Sequence, residues 1–532
     1  MKLFPVTLLA IAVFLTSAFA DAPKKTVSKA EKHRANIDEF FSLAGPVAEL
    51  NFEFAAEELE KLRKDPRNYA EATMTEAGGK TYRGVGVKLK GGRSFRQIDD
   101  KPALTVNMKK YDGVERFHGM EKFHLNNSVQ DPTFLHEIIS AEVCREAGVP
   151  AARGTHAVVT IGGKPRGLYV FKEAFDEDFL SHFFKDPTGD LYDGGRFEEL
   201  SDKMEKDQGD DAERDNIKEL IAACQESDPA KRWARLEAIF DVDAYIDFTA
   251  IEAILAHSDG YNFNHNNYRV YFDPATGRAR FIHHGMDKTF AWDGFSVFHP
   301  AKALVWGALF SNPQWQAKYF GKAQEAFRRV AGKDWAKRID EIGGKVEKAL
   351  AKSDEKLAAE FPAKVALMQK QVQTRFAFVD GQLRQPPQPP AFDAERSIGV
   401  ADGWTTLKLA GTDFVLDVVP VEGGEQLHLR AAKRALGRWE KTVYLEQGRY
   451  RLEGRVKTAG VAATADGKGK GVLLAGQAKM LNPRNLSGDN DWQAIGSEFD
   501  TPTGDVLLAF ELRGERGEAW CDRSSLRLVR LK

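Results

Sequence analysis

A proline-rich segment divides the chain into two parts with different hydrophobic patterns. It reads RQPPQPPAF from Arg384 to Phe392. Because clustered prolines favour an extended backbone, residues 385–391 are predicted to form a stiff linker. Helical patterns and strands precede it, whereas only short strands with turns between them follow. The sequence therefore predicts an α+β domain over residues 46–384 and an all-β sandwich, of jelly-roll type, over residues 392–532.

The first residues carry the pattern of a secretory signal. Lys2 precedes an apolar run that ends in the small-residue pattern AFA at Ala20, so residues 1–20 are predicted to be removed on export. That run is short for a membrane span, and no later stretch approaches the roughly 20 apolar residues that a span needs. Residues 21–45 are charged and are predicted to form a tether that becomes helical near its end. We expect a secreted, periplasmic or cell-surface protein without a transmembrane segment.

Composition excludes some classes of partner. The 532 residues include 76 Lys and Arg against 78 Asp and Glu, a net charge of -2, which gives no overall field favouring nucleic acid or an anionic membrane. A chain of this length is expected to form two or more domains. The three cysteines, Cys144, Cys224 and Cys521, lack metal-type spacing and allow at most one disulfide. Export without a disulfide framework fits a bacterial type of secreted protein.

The stretch from His257 to Phe290 concentrates the residues suited to chemistry. It reads HSDGYNFNHNNYRVYFDPATGRARFIHHGMDKTF, and residues 268–272 and 280–283 are predicted to pair as a β-hairpin. Carboxylates and carboxamides would then meet at one end of the hairpin, where hard oxygen ligands suit Mg²⁺ with a bound phosphate. Asp and Asn are also ordinary residues of turns and helix caps. The order Asp, Asn, hairpin, Asp is what favours phosphoryl transfer, because protein kinases use the same order.

Strands, one helix and further strands precede that stretch. The patterns predict strands at residues 82–90 and 101–109, a helix over 134–147 and a hairpin of 158–161 with 167–173. This order resembles the small lobe of a kinase more than a doubly wound sheet. After the first strand comes the turn Gly91-Gly92-Arg93, whose free N–H groups and cation can hold phosphates, although such a turn more often binds nothing.

These blocks resemble the CotH kinase family, the atypical secreted protein kinases related to spore-coat protein H. The resemblance runs from about Phe52 to Phe290 and is carried by VGVKLKGGRSF, DKPALTV, FHGMEKFHLNNSVQDPTFLHE, AGVPAAR, GGKPRGLYVFKEAFDEDFL, GDLYDGG, DGYNFNHNNYRVY and FIHHGMDKTF, in family order. It implies an atypical kinase-like, two-lobed fold that binds ATP with Mg²⁺ or Mn²⁺. The implied activity is phosphorylation of Ser or Thr on secreted or surface proteins.

The resemblance also implies roles for individual residues. Asp259 matches the catalytic-loop aspartate, Asn267 the metal-binding Asn before the hairpin, and Asp287 the second metal ligand. Lys101 in DKPALTV is implied for the ATP phosphates, with Lys90 and Lys172 as alternatives. The remaining expected nucleotide contacts are Gly91, Gly92, Arg93 and Glu173.

One metal position stays open, and two residues depart from the family pattern. Asn264 follows Asp259 at the kinase catalytic-loop offset, so it competes with Asn267 for the metal. Gly285 stands where many members have an additional Asp, and His136 stands where an Arg is frequent. Either departure can lower or alter activity, since family membership does not establish a competent kinase.

The C-terminal part offers a second kind of site. Its run VYLEQGRYRLEGRVKTAGV resembles carbohydrate-binding-module-like jelly rolls, in which surface aromatic residues hold a sugar. The candidates for binding a polysaccharide are Trp404, Trp439, Trp492 and Trp520. In a sandwich, however, an aromatic side chain is more often part of the core.

Two function classes follow from these patterns. The first is an exported kinase that acts on proteins, with the C-terminal domain positioning it. The second is a non-catalytic surface or carbohydrate-associated protein that keeps a kinase-like fold as a scaffold. A scaffold has no need to keep Lys101, Asp259, Asn267 and Asp287 together, so their joint presence favours the kinase.

Overall fold

The computed structural model describes residues 29–111, 115–195, 197–210, 212–310, 312–411, 413–465, 469–476, 479–481 and 484–531. The predicted signal at residues 1–20 lies outside these ranges. Within them, no helix is both long and apolar enough to cross a membrane. Helices and strands are mixed up to the proline-rich segment, and strands dominate after it, which confirms the predicted change of pattern.

The N-terminal part is a closed barrel. Its strands are β1 (Ala48–Glu53), β2 (Ala70–Glu76), β3 (Thr81–Lys90), β4 (Ala103–Asn107), β5 (Lys122–Asn126), β6 (Gly154–Ile161) and β7 (Lys164–Glu173), and they follow each other around the barrel as β1-β2-β3-β4-β5-β7-β6. Alternate residues of each strand point inward, as the period of two requires. Phe52, Val85, Phe123 and Phe171 form part of this apolar interior.

Three helices accompany the barrel: α1 (Lys29–Phe41), α2 (Ala56–Lys64) and α3 (His136–Glu146). The predicted helical end of residues 21–45 is confirmed as α1, and Ile37 and Phe40 of α1 are buried in the barrel core. Helix α3 separates β5 from β6 and is buried along most of its length. It brings Glu137 to the end of the barrel that faces the rest of the domain.

A second sheet with short helices follows the barrel. Its strands are β8 (Leu191–Gly194), β9 (Glu205–Gln208), β10 (Tyr268–Asp273) and β11 (Arg278–His283), in the order β11-β10-β8-β9, and the helices are α4 (Glu177–Phe183), α5 (Asp215–Gln225), α6 (Pro229–Ile239), α7 (Val242–Ile254) and α8 (Tyr261–Asn264). The predicted hairpin is confirmed, with Tyr268 opposite His283. The stretch from 194 to 241 supplies β9 to this sheet.

Four helices complete the domain: α9 (Leu304–Phe310), α10 (Pro313–Ala331), α11 (Trp335–Leu350) and α12 (Glu355–Arg384). Asn312 and Asp354 begin two of these helices by accepting hydrogen bonds from the backbone N–H groups of Gln314 and Leu357. Together with α7 these helices enclose one continuous apolar core.

The C-terminal part is a β-sandwich. Its strands are β12 (Ser397–Gly399), β13 (Thr405–Ala410), β14 (Phe414–Val421), β15 (Gly424–Ala431), β16 (Ala435–Leu445), β17 (Gly448–Ala462), β18 (Gly471–Gly476), β19 (Lys479–Leu481), β20 (Gly488–Thr501), β21 (Gly504–Gly514), β22 (Arg516–Asp522) and β23 (Arg527–Arg530). One sheet runs β12-β23-β17-β22-β15-β14, with β20 on β17 and β19 on β20, and the other runs β13-β16-β21-β18. Their apolar faces form a separate core.

Candidate functional site

A cleft of about 1140 Å³ lies where the barrel meets the second sheet. It is lined by residues of β3, β4 and β5, by α3, by the second sheet and by the loop that contains Asp259. The predicted site residues among its lining are Gly91, Gly92, Arg93, Asp259, Asn267 and Asp287. The structure therefore brings the glycine turn and the hairpin end, far apart in sequence, to one cavity.

Two carboxamides orient the Asp259 carboxylate. The Asn264 side-chain amide donates to Oδ1 of Asp259 at 2.6 Å. The Asn267 amide donates to Oδ2 at 3.2 Å and to the Asp259 carbonyl at 2.9 Å. Both oxygens are thus held by neutral donors, which fix the direction of the carboxylate without cancelling its charge.

A buried polar network holds the backbone of the same loop. Glu252 on α7 accepts from the Asn262 backbone N–H and side-chain amide, and burial raises the pKa of Glu252 to about 8. Gly260 leaves room for this carboxyl group, since a Cβ there would lie 1.8 Å from Glu252 Oε1. The His257 ring contacts the His284 carbonyl at 3.1 Å, which ties the loop to the end of β11.

The Asn267 carboxamide lies against Gly285, two residues before Asp287. A Cβ at Gly285 would lie 2.4 Å from Oδ1 of Asn267, and its φ of +57° is unfavourable for other residues. At this departure from the family pattern, the Asn267 carboxamide occupies the space that a side chain at position 285 would need. Asn267 lines the cleft and Asn264 does not, so Asn267 is the better placed of the two alternatives for a metal.

Acidic neighbours surround Asp287. Burial, reinforced by the carboxylates of Glu137 and Asp131, raises the pKa of Asp287 to about 6. Within the described residues its side chain forms no ion pair. A carboxylate kept from water beside two others is stabilised by a cation, so the donor set of Asp287 with the Asn267 carboxamide oxygen fits Mg²⁺ or Mn²⁺. No group of three or more His, Cys, Asp and Glu placed to hold a metal is found among the described residues.

Cations gather on the barrel side of the cleft. Lys90, at the end of β3, donates to Oδ1 of Asn126 at 3.0 Å and forms no ion pair within the described part of the chain. Burial, together with the charges of Lys172 and Arg269, lowers the pKa of Lys90 to about 7. An amine in this position gains its proton readily when an anion approaches.

Lys172 and Arg269 are, by contrast, compensated. Lys172 on β7 pairs with Glu137 on α3, and both are buried. Arg269 on β10 pairs with Asp193 at 3.1 Å and Asp207 at 2.8 Å. Sequence reasoning missed Glu137, Asp193 and Asp207. Lys172 carried a usable signal, because a lysine inside the apolar run LYVFK needs a buried partner.

The glycine turn is open toward the cleft. A Cβ added at Gly92 would meet nothing within 4 Å, whereas at Gly91, where φ is +102°, it would lie 2.7 Å from Ser94 Oγ. The Arg67 guanidinium donates to the Gly91 carbonyl at 2.7 Å. In this turn, therefore, the Gly91 carbonyl is fixed by Arg67, and the space around Gly92, beside Lys90, is open.

Two predicted nucleotide contacts lie elsewhere and are corrected. Lys101 is not among the residues lining the cleft; its ammonium lies over the rings of Phe134 and Tyr169, at 5.0 and 5.2 Å from their centroids. Glu173 is buried against Arg153. Its carboxylate accepts hydrogen bonds from the Arg153 backbone N–H and from the Arg153 guanidinium. Lys101 packs over aromatic rings and Glu173 is paired with Arg153, so Lys90, one of the alternatives, becomes the candidate for the ATP phosphates.

The second family departure, His136, has a defined role. Its Nδ1 lies 2.7 Å from Oδ1 of Asp131, and its backbone N–H donates to the other oxygen at 3.0 Å. Although burial acts to raise it, the pKa of Asp131 is held below its usual value by His136 and Thr133. His136 thus supplies the partner for a buried carboxylate at the edge of the cleft.

The four tryptophans of the sandwich divide into two pairs. Trp404 and Trp439 are buried in the core, where their indole N–H groups donate to the carbonyls of Val400 and His428. Trp492 and Trp520 are partly exposed. The Trp520 ring stacks on His428 with centroids 5.1 Å apart. The structure thus leaves Trp492 and Trp520 as polysaccharide candidates and excludes the other two.

A domain of mixed helices and strands with a charged cleft, followed by a β-sandwich, is the class that this fold and site define. The family described as CotH kinase protein matches residues 87–379, and the chain belongs to this family. Inner spore coat protein H of Bacillus subtilis (strain 168) is 24% identical over 192 residues, covering 33% of this chain and 52% of that protein. Invasin CotH2 of Rhizopus delemar is 25% identical over 198 residues, covering 34% of this chain and 33% of that protein.

Solved structures with partial likeness include carbohydrate-binding modules. TmCBM61 in complex with β-1,4-galactotriose is 16% identical over 25% of this chain and 91% of that chain, with a TM-score of 0.18. The CBM22-1 xylan-binding domain of Paenibacillus barcinonensis Xyn10C is 13% identical over 27% of this chain and 99% of that chain, also with a TM-score of 0.18.

Proposed function

We propose that this protein is an exported atypical protein kinase that transfers the γ-phosphate of ATP to Ser or Thr of secreted or surface proteins. One observation carries the proposal. Lys90 and Asp287 line the same cleft, neither forms an ion pair within the described residues, and burial shifts their pKa values to about 7 and about 6. A polyphosphate bound with a divalent cation satisfies both, since it brings an anion to Lys90 and a cation to Asp287.

The roles of the residues follow from their surroundings. The Lys90 ammonium and the N–H groups of the Gly91-Gly92 turn hold phosphate oxygens. Asn267 and Asp287 hold Mg²⁺ or Mn²⁺, which supplies neutralising charge for the phosphates when it is bound. The Lys172–Glu137 pair has the chemistry of the lysine–glutamate ion pair that protein kinases require, but Lys172 is not among the residues lining the cleft, so the phosphate contact is assigned to Lys90.

Asp259 acts on the acceptor. Asn264 and Asn267 hold its two carboxylate oxygens from one side, so the remaining lone pairs can accept the proton of a substrate hydroxyl. Its carboxylate then orients that hydroxyl toward the γ-phosphate and receives the proton as the phosphoryl group is transferred. The kinase-like two-lobed arrangement is part of the same proposal, with the barrel as one lobe and the helical part as the other.

Export and surface association belong to the proposal as well. The apolar run ending at Ala20 supports export. Spore coat and invasin are words in the names of the two relatives, and they support a location at a surface. Polysaccharide binding by the sandwich is supported by the partial exposure of Trp492 and Trp520, and replacing each by Ala should weaken retention on an insoluble polysaccharide.

A non-catalytic scaffold is the second candidate. It is favoured by Gly285, which leaves the site one carboxylate short of the pattern of many family members. The experiment that decides is incubation of the purified protein without residues 1–20 with γ-labelled ATP and Mg²⁺ or Mn²⁺. Metal-dependent labelling of the protein itself, or of added secreted proteins, supports the kinase. No labelling with either metal contradicts it and leaves the scaffold.

A further inference from the structure

The sandwich contacts the segment that follows Asp287. We call residues 288–303, which join Asp287 to α9, the connecting segment. The Asp505 backbone N–H donates to the Phe298 carbonyl at 3.0 Å, and the Ser296 hydroxyl bonds the Asp505 carboxylate. The Tyr444 ring meets the Phe298 ring edge-on, with centroids 5.8 Å apart. The contact combines backbone, side-chain and aromatic interactions.

A glycine makes this contact close. Gly504, at the start of β21, has a φ of +152°, and a Cβ there would lie 2.6 Å from the Phe298 carbonyl oxygen. On the same turn, the Thr503 hydroxyl accepts from the Gln316 side chain at 2.9 Å. The turn 501–505 between β20 and β21 is therefore fitted to the connecting segment and to α10.

The other side of the connecting segment packs on the Asp259 loop. The rings of Phe295 and His299 lie 4.8 and 5.6 Å from the ring of Phe263. The Lys302 backbone N–H donates to the Asn262 carbonyl at 2.7 Å. Phe263 directly precedes Asn264, whose amide holds the Asp259 carboxylate. Few residues thus separate the sandwich contact from that carboxylate.

The helical part holds the same segment from behind. Arg375 on α12 is fully buried and donates to the carbonyls of Asp293 and Phe295. Gln382, also on α12, accepts from the Val297 N–H at 2.8 Å and donates to Ser296 Oγ at 3.0 Å. The segment therefore lies between α12 and the turn 501–505, with contacts to both.

We propose that the turn 501–505 of the sandwich is a positioning element of the cleft: it holds residues 296–298 so that the Asp259 loop keeps its geometry. The catalytic consequence rests on the proposed function, whereas the structural coupling does not. The sandwich is on this account an integral part of the site and more than an attached binding module.

The test uses the full chain and a pair of glycine variants. Gly504→Ala places a methyl group against the Phe298 carbonyl. Gly488→Ala, at the start of β20, also places a side chain at a positive φ, of +76°, but its Cβ would meet nothing within 4 Å. Hydrogen exchange is followed in peptides covering residues 259–267 and 288–303. Gly504→Ala should speed exchange in both peptides, and Gly488→Ala should leave both at the wild-type rate.

Exchange and activity decide separate questions. If Gly504→Ala leaves peptide 259–267 unchanged, or if Gly488→Ala speeds it equally, the coupling is wrong. Where the wild type transfers phosphate, Gly504→Ala should lower kcat by about 2- to 30-fold, the range of coupling through packed networks, with KM for ATP unchanged. A drop in kcat matched by Gly488→Ala would also contradict the coupling. A wild type that does not label contradicts the kinase, while the exchange result still decides the coupling.

Discussion

The cleft and the sandwich treat buried charge in opposite ways. In the cleft, Lys90 and Asp287 lack ion-pair partners among the described residues, and burial moves their pKa values toward neutrality. In the sandwich, the buried Glu511 lies 3.2 Å from Arg513 and 3.8 Å from Arg438. Desolvating an unpaired charge is costly. The comparison teaches that the unpaired charges of the cleft lower the stability of the free protein, and the polyphosphate and divalent cation proposed above would account for their presence.

The largest effect is expected at Asp259. Asp259→Asn keeps the shape of the side chain and an oxygen that can accept from one of the Asn264 and Asn267 amides, but it removes the charge that accepts a proton. Transfer should fall by about 10²- to 10⁴-fold, the usual contribution of a general base. ATP affinity, measured by calorimetry with Mg²⁺, should remain at the wild-type value. Undiminished labelling by this variant would show that Asp259 does not act on the acceptor.

Asp287→Ala should give a different result from Asp259→Asn in the same calorimetric titration of ATP with Mg²⁺. Asp287→Ala removes a carboxylate assigned to the metal, and changes even to partners of metal ligands cost about 10- to 100-fold in affinity. We expect the Mg²⁺-dependent part of ATP binding to fall by at least that factor, together with the labelling. Asp293→Ala, a few residues along on an exposed position, is the control. ATP binding that keeps its full Mg²⁺ dependence in Asp287→Ala would remove this residue from the metal site.

Lys90 offers a test in which stability and binding move in opposite directions. Lys90→Met removes an unpaired buried amine, so the free protein should become more stable while ATP affinity falls. A lowered pKa of about 7 against an ordinary lysine pKa of about 10.4 means that the unfolded chain binds more protons between these values. Wild-type stability therefore rises with pH across this window. The gain from Lys90→Met, of the order of a few kcal/mol at about 1.4 kcal/mol per pKa unit, should be full below pH 7 and vanish near pH 10.

Lys101→Met is the matched control for Lys90. Lys101 is also a partly buried lysine with a lowered pKa, of about 8, caused mainly by burial, but it lies over two aromatic rings outside the cleft. Thermal unfolding over a pH series and ATP titration should show that only Lys90→Met changes nucleotide affinity. An ATP affinity that falls in Lys101→Met and not in Lys90→Met would restore the sequence-based assignment.

Local patterns predicted most of the fold up to the linker. The hairpin of β10 and β11 was predicted within two residues, because it has clear periodicity and turn residues. Strands β20 and β22 were not predicted. Their sequences, GDNDWQAIGSEFDT and RGEAWCD, alternate weakly and carry turn residues, and they become strands through pairing with β17 and, for β22, also with β15.

Sequence also located one half of the site better than the other. Asp259, Asn267 and Asp287 lie close in sequence, so their hairpin fixes their relation, and all three line the cleft. The lysine could not be chosen in this way. All three candidate lysines lie in or beside barrel strands: Lys90, Lys101 and Lys172. Which of them faces the cleft depends on how the barrel closes. Pairing across the barrel is a long-range property that local patterns do not encode.

The smallest effect is expected for a change in the sandwich, where a buried charge has partners. Glu511 on β21 is buried, and its partners Arg438 and Arg513 have other contacts: Arg438 also bonds Glu440 at 2.7 Å, and Arg513 is about half exposed. Glu511→Gln keeps the size of the side chain and removes the charge that both guanidiniums face. Because one partner remains paired and the other is hydrated, the loss of stability should be only about 1 kcal/mol. Its sign is nevertheless opposite to that of Lys90→Met, since here the buried charge is matched by its neighbours. Thermal unfolding of both variants at pH 7 measures the two signs directly, and a stabilising Glu511→Gln would mean that unmatched charge is not a special property of the cleft.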